Sequence, residues 1–414
     1  MRPTLIRMLG IVIAAGAPPV LAQPSAHAPR SGQAAQKVMD PVTGKVLNEA
    51  IELLNEKDFE GAAQKLTGLR TDRLSPYERS KVEQVRFNIA FGAGSVAEAR
   101  EHLAAAVAAG GLNAEEIAQA RYQDAQLLLM EGHWGEGAAA LEDWLKTADK
   151  PNSAAYYLLA VAYYQNGDFD RALAPARQAV ELTDQPKEPW MQLLLALRLQ
   201  REEYADAARL LQQLIVQAPG KRSYFMQLSS VYGQMHDYES ALAIMQVAYD
   251  AGLLNDDPNI RRLADLLLLN HLPYRGAQVL EAAIDADTVT PDAQLYEKLA
   301  SCWIAAGELD RAVLPLRRAG ELSSSGEPYL RLGEVELQRE DWPAAESALR
   351  GAVARGGLRD TGNAPFLLGV ALFNQGRLTE ARASFVEAEH SSQHREAARA
   401  YLRVIESRLE HTQL

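Results

Sequence analysis

The feature that most constrains this chain is a small residue that keeps returning at nearly fixed spacing. It stands at Ala62, Ala99, Gly137, Ala172, Ala207, Ala241, Gly276, Ala312, Ala345 and Ala381, with successive gaps of 33 to 38 residues. Twelve residues before each anchor stands a second position, usually small: Ala50, Ala125, Ala160, Ser229, Ala264, Ala300, Gly333 and Gly369, with Phe87 and Leu195 as exceptions. Four residues after most anchors comes an apolar side chain, such as Leu66, Leu141, Met245, Leu316 or Phe385. The stretch from 153 to 186 shows the whole unit. Its first amphipathic helix carries Leu159, Ala160 and Tyr163, Gly167 closes a turn, and Ala172, Ala176 and Ala179 lie on a second helix that Pro186 stops. Small residues at both anchor positions let two helix backbones approach closely. One such hairpin cannot bury its apolar face alone, so copies must stack.

The unit boundaries carry their own signals. Gly132, Gly167, Gly307 and Gly376 stand in the turn, whereas Glu202, His236, His271 and Glu340 replace glycine in other units. After three second helices come Gly110-Gly111-Leu112, Gly252-Leu253 and Gly356-Gly357-Leu358. A glycine there can take the left-handed cap, with the following Leu packing back. Ser75-Pro76 reads as a helix start. Asp168, Asp237, Asp310 and Asp341 begin second helices, where a carboxylate can cap free N–H groups. Residues 391–409 read as one helix, apolar on one face and charged on the other, which suits a terminal cap.

Leu159-Ala160, Tyr163, Gly167, Ala172 and Ala179 resemble the tetratricopeptide repeat pattern, as do Leu332-Gly333, Ala345, Leu368-Gly369, Gly376, Ala381 and Phe385. The resemblance implies an all-α fold: a right-handed α-solenoid of about ten helical hairpins with a C-terminal capping helix. On this reading residues 41–390 form the array and 391–414 the capping helix and tail.

The first 22 residues read as a signal peptide: Arg2 and Arg7, an apolar run from 8 to 17, then Val20-Leu21-Ala22 with cleavage expected after Ala22. The apolar run is too short to span a bilayer. Residues 23–40, rich in Ala, Gln, Ser and Pro, read as a flexible linker. The expected product is an exported protein of the periplasm, without a membrane span in the mature chain. Its net charge of −12 becomes −12 − 2 = −14 once Arg2 and Arg7 are removed. That balance argues against nucleic acid as a partner, because phosphate contacts need clustered Lys and Arg.

No catalytic or metal constellation stands out, and no cofactor is expected. Cys302, the one cysteine, fits a small buried helix residue. His390 and His394 lie one helical turn apart, but Ser391 stands where a metalloprotease helix needs Glu, so both read as surface histidines. The expected site is therefore a surface on the first helices. Counting three before, one after and four after the small first-helix position gives the partner-binding groove: Tyr122, Gln126 and Leu129; Tyr157, Val161 and Tyr164; and Gln192, Ala196 and Leu199. The count continues with Met226, Ser230 and Gly233; Arg261, Asp265 and Leu268; and Phe366, Val370 and Phe373. Tyr and Met with amides around them suit an extended peptide or a partner helix.

A narrower resemblance rests on Leu74-Ser75-Pro76-Tyr77-Glu78, Gln227-Leu228-Ser229, Val231-Tyr232 and Ala248-Tyr249-Asp250-Ala251-Gly252-Leu253-Leu254. These are similar to exported repeat proteins associated with TonB systems. That implies a periplasmic accessory binding part of a TonB–ExbB–ExbD complex. The alternative is an assembly factor for envelope polysaccharide or lipoprotein export.

Overall fold

A computed structural model describes residues 39–412. The leader and nearly all of the linker lie outside the described residues. Two compact units are distinguished, one up to Leu210 and the other from Leu211. Among the described residues every regular element is helical: 21 α-helices and one 3-10 turn at Thr71–Arg73.

In the first unit α1 (Pro41–Asn55) packs on α2 (Phe59–Thr67), and α3 (Pro76–Gly92) packs on α4 (Val96–Ala108). Likewise α5 (Ala114–Met130) packs on α6 (Trp134–Thr147), and α7 (Ser153–Gln165) on α8 (Phe169–Glu181). Next come α9 (Glu188–Gln200) and α10 (Tyr204–Gln217), within which the unit boundary falls. In the second unit α11 (Arg222–Gln234) packs on α12 (Tyr238–Asp250), α13 (Asp257–Leu269) on α14 (Pro273–Asp285), and α15 (Ala293–Ala305) on α16 (Leu309–Leu322). Then α17 (Glu327–Gln338) packs on α18 (Trp342–Arg355), α19 (Asn363–Asn374) on α20 (Leu378–Ala388), and α21 (Arg395–Thr412) on α20.

The sequence anchors are where backbones meet. All ten second-helix anchors are buried, and so are all ten first-helix positions, Phe87 and Leu195 included. A Cβ on Gly333 would come within 2.5 Å of Leu349, and one on Gly369 within 2.8 Å of Phe385. Either Cβ would force its buried neighbour to shift in a closely packed core. Five residues before every anchor the chain is left-handed: Gly94, Gly132, Gly167, Gly307 and Gly376 at φ 77 to 82°, and Lys57, Glu202, His236, His271 and Glu340 at φ 57 to 64°. The turn therefore keeps its geometry with or without glycine. The non-glycine residues accept a conformation that crowds Cβ against the backbone.

Helix ends follow local chemistry. Ser75 and Glu78 form a capping box at α3, and Glu78 also accepts from the Asp40 N–H at 2.8 Å. Asp168, Asp237 and Asp341 cap second helices through N–H groups of Arg171, Ser240 and Ala344. Asp310 does not cap: it lies in the first turn of α16 and takes Arg339 Nε at 2.7 Å. Gly110, Gly252, Gly356 and Gly357 take positive φ after their helices; Leu112 is buried behind its glycines, whereas Leu253 and Leu358 are half-buried against the cores. The last helix begins at Arg395 rather than 391, with Ser391 to His394 in turns.

Each unit fills its own cores. In the first, Leu47, Leu66 and Val82 gather in one cluster and Phe87, Leu103 and Leu127 in another. In the second, Met245, Leu263, Leu280, Trp303 and Leu316 share one cluster, and Leu349, Leu372, Phe385 and Ile405 share one that α21 closes. A buried side chain of this size contributes roughly 1.5–3 kcal/mol.

Candidate binding face

A residue on a first helix meets either its own hairpin partner, as Tyr122 and Tyr164 do, or the first helix of the next hairpin, as Tyr157 does. None of the nine groove residues singled out above is freely exposed: Tyr122, Gln126, Tyr157, Tyr164, Gln192, Met226, Arg261, Phe366 and Phe373 are all half-buried. Of the neighbouring positions in the same count, Leu129 and Val161 are fully buried.

In the first unit the aromatics are held by other rings. Tyr122 packs on Trp144 with centroids 4.6 Å apart, Tyr157 on Trp190 at 5.9 Å, and Tyr164 edge-on to Phe169 at 5.3 Å. Burial pushes the Tyr122 hydroxyl up to about 12, while a hydrogen bond with Gln126 pulls the other way. Burial also raises Tyr157 and Tyr164 above the usual phenol value. These rings stay neutral and fixed, and each presents part of its surface. Gln192 donates to Glu188 at 2.8 Å.

In the second unit Met226 packs at the edge of the core that holds Met245 and Leu263. Arg261 is ion-paired to Asp257 on its own helix and to Asp292, 3.1 Å away, at the start of α15. Phe366 and Phe373 lie under the last helix. Phe366 stacks on His394 at 5.2 Å and meets Tyr401, and Phe373 meets Tyr401 at 5.4 Å with Arg408 over its ring. These two rings therefore anchor the cap.

The second unit also carries a polar ladder that counting from three, one and four positions overlooked. The residue after the small first-helix position meets the residue two before the small position of the next unit. Arg262 donates to Ser230 Oγ at 2.9 Å, Lys298 pairs with Asp265, and Arg331 donates to Ser301 Oγ at 2.8 Å. The signal was present in the sequence, since Arg262, Lys298 and Arg331 each stand two residues before Ala264, Ala300 and Gly333. Burial pulls the Arg262 guanidinium below its usual value.

Among the described residues no three His, Cys, Asp or Glu side chains converge as a metal site. His394 Nε2 lies 2.8 Å from Asp360, and His390 is exposed. Cys302 is buried against Gly276, and burial pushes its thiol up to about 11. No described helix is long and apolar enough to cross a membrane.

The molecule is thus of the helical-repeat class, made of stacked helical hairpins. Residues 122–189 and 330–394 match the model of the tetratricopeptide repeat, which supports a tetratricopeptide repeat reading of these stretches. Repeats of this family generally serve as scaffolds that bind peptides or proteins. No curated protein matches the sequence. Among solved structures, the chain is similar to MamA protein at 20% identity, covering 42% of this chain and 94% of that one with a TM-score of 0.37. It is also similar to YrrB, a tetratricopeptide repeat protein with an unusual peptide-binding site, at 15% identity over 50% and 100% of the chains, TM-score 0.38. A tetratricopeptide repeat protein from Parabacteroides merdae shares 15% identity over 70% and 98%, TM-score 0.32. None of the three superposes closely enough to transfer a site.

Proposed function

We propose that this chain is a periplasmic scaffold that holds a segment of a protein partner on its first-helix face, as an accessory of a TonB–ExbB–ExbD system. The observation that carries the binding reading is the set of half-buried tyrosines in the first unit, each fixed by a second ring. A fixed aromatic surface needs little further ordering on docking, so a flexible partner bears most of the entropic cost. Export is supported by the leader pattern of the first 22 residues. The link to TonB rests on the short resemblances around Leu74-Ser75-Pro76 and from Tyr224 to Leu254.

The test places a photo-crosslinking residue at Tyr157 and, as control, at exposed Arg177 on α8, in the chain expressed in its own cell. The expected result is a periplasmic product cleaved after Ala22 that forms adducts with ExbD, ExbB or TonB from position 157 and not from 177. A cytoplasmic product that keeps its N-terminus sinks the location. Equal adducts from both positions sink the face.

A further inference from the structure

The second unit contains six half-buried basic side chains among its described residues: Arg261, Arg262, Lys298, Arg331, Arg339 and Arg377. Four are neutralised by carboxylates. Arg261 has Asp257 and Asp292, Lys298 has Asp265, Arg339 has Asp310 and Glu336, and Arg377 has Glu346 and Glu380. The other two, Arg262 and Arg331, bond only to the hydroxyls of Ser230 and Ser301, with no carboxylate in ion-pair reach among the described residues. Glu334, one turn along α17 from Arg331, instead accepts from Asn363 at 3.3 Å.

The two exceptions occupy one register. Arg262, Lys298 and Arg331 are equivalent positions of three successive first helices, and Ser230, Asp265 and Ser301 are their equivalent acceptors. The middle rung is therefore an internal control. It shows that the register accepts a carboxylate on the base, and that the outer rungs have serine where that carboxylate would be. A guanidinium partly withdrawn from water gains most from an ionised acceptor, about twice what a neutral one gives.

We propose that Arg262 and Arg331 anchor an extended acidic segment of a protein partner, whose carboxylates take at the outer rungs the place that Asp265 takes at the middle one. The proposal rests on the reading of the first-helix face as a protein-binding surface and adds the partner's chemistry. Packed helices lie roughly 10 Å apart, and an extended chain covers about 3.3 Å per residue. Each rung thus corresponds to about three partner residues, and the two outer rungs to acids about six apart.

The experiment is fluorescence anisotropy on the purified mature chain with two labelled extended peptides of Ser, Thr and Ala. One carries Glu at two positions six apart, and the other carries Gln there. The Glu peptide should bind at least about tenfold tighter, the size of one charge-assisted bond, with the advantage shrinking as salt rises. Arg262→Gln and Arg331→Gln should each remove most of it. The double variant Ser230→Asp with Ser301→Asp, which fills both outer rungs from within, should abolish the preference while the thermal midpoint holds or rises. Asp265→Ser should strengthen binding of a peptide with a third Glu midway, by freeing Lys298. Equal binding of the Glu and Gln peptides to the wild type overturns the proposal, as does an undiminished preference in the Ser→Asp double variant. If the Glu preference fails while crosslinks at Tyr157 persist, the acidic track falls and the scaffold reading stands. The reverse outcome removes the tyrosine face and leaves the track.

Discussion

Two pairs in the first unit and three in the second build one register in opposite chemistry, although the same register also holds Asn88 with Gln123 in the first. In the first, the position after the small first-helix residue and the position two before the next one are Ile51 and Val85, and later Val161 and Leu193. Val85, Val161 and Leu193 are buried, Val161 completely. In the second unit the equivalent pairs are Ser230 with Arg262, Asp265 with Lys298, and Ser301 with Arg331. Helix packing tolerates both because the backbone contact is made elsewhere, at the anchors. The energetic meaning differs. A buried Val or Leu contributes roughly 1.5–3 kcal/mol, whereas a partly exposed ion pair contributes about 0–1 kcal/mol. The apolar pairs add to the stability of their unit. The polar seam adds little stability and leaves charge available, which is what recognition requires.

The largest expected effect comes from moving the second unit's chemistry into the first. Val161→Asp places a carboxylate in a position with no exposure, at a cost of about 3–5 kcal/mol for an uncompensated buried charge. The native Asp265 stands at the equivalent position with a side chain 57% exposed, so Asp265→Ala should change stability by less than about 1 kcal/mol. Urea unfolding checks both, followed by fluorescence of Trp190 in the first unit and Trp303 in the second. Similar losses for both variants would break the comparison. The converse change is Arg262→Leu. Replacing a poorly neutralised guanidinium with an aliphatic side chain should raise the second unit's stability by about 1–2 kcal/mol while removing preference for acidic peptide. A destabilised variant would mean that the Ser230 bond matters more to the fold than to a partner.

The repeat was legible because its determinants are local. A small residue, a left-handed turn five positions earlier and a helix-capping Asp each leave a mark within one hairpin, and the anchors at Ala172 and Gly369 could be placed without coordinates. The face was only half legible. Ser230 and Asp265 were identified as pointing toward a partner, but Arg262 and Lys298, which meet them, were not. That pairing depends on how one unit steps onto the next, and it shows in sequence only as a base recurring two residues before a small one. Phe366 and Phe373 fit the groove count equally well. What distinguishes them is the last helix, whose Tyr401, together with His394 in the turn before it, packs on Phe366, and no spacing rule within the repeat contains that helix.

A smaller effect concerns the anchor itself. Ser229 fills the slot that Ala160 and Ala264 fill elsewhere. Its hydroxyl is buried without a hydrogen-bond partner in the described structure. Ser229→Ala should therefore stabilise the second unit by about 1 kcal/mol, the usual cost of an unsatisfied hydroxyl. Ala160→Ser in the first unit should cost a similar amount. Urea midpoints that move in the same direction for both substitutions would show that the two slots are not equivalent.

The smallest effect is a pH dependence in the first unit's copy of a clasp that both units share. In the first, Tyr163 donates to Glu142, Arg171 donates to the same carboxylate at 2.9 Å, and the Arg171 guanidinium lies 4.3 Å from the Tyr163 ring centre. In the second, Trp303 donates to Glu281 at 3.1 Å, Arg311 at 2.8 Å, and Arg311 lies over the Trp303 ring at 3.5 Å. The hydrogen bond from Tyr163, aided by Arg171, holds the Glu142 carboxyl below the usual carboxylate range despite some burial. A carboxyl lowered on folding adds stability that is present above its unfolded value, near 4.3, and lost as pH falls through its folded one. Tyr163→Phe should therefore destabilise the first unit at neutral pH by less than about 1 kcal/mol, since Glu142 is partly exposed. The gap between wild type and variant should close as pH drops below the usual carboxylate range. Thermal unfolding across pH 3 to 7, read separately at Trp190 and Trp342, measures it; a gap that stays constant with pH would mean that Tyr163 acts through packing alone.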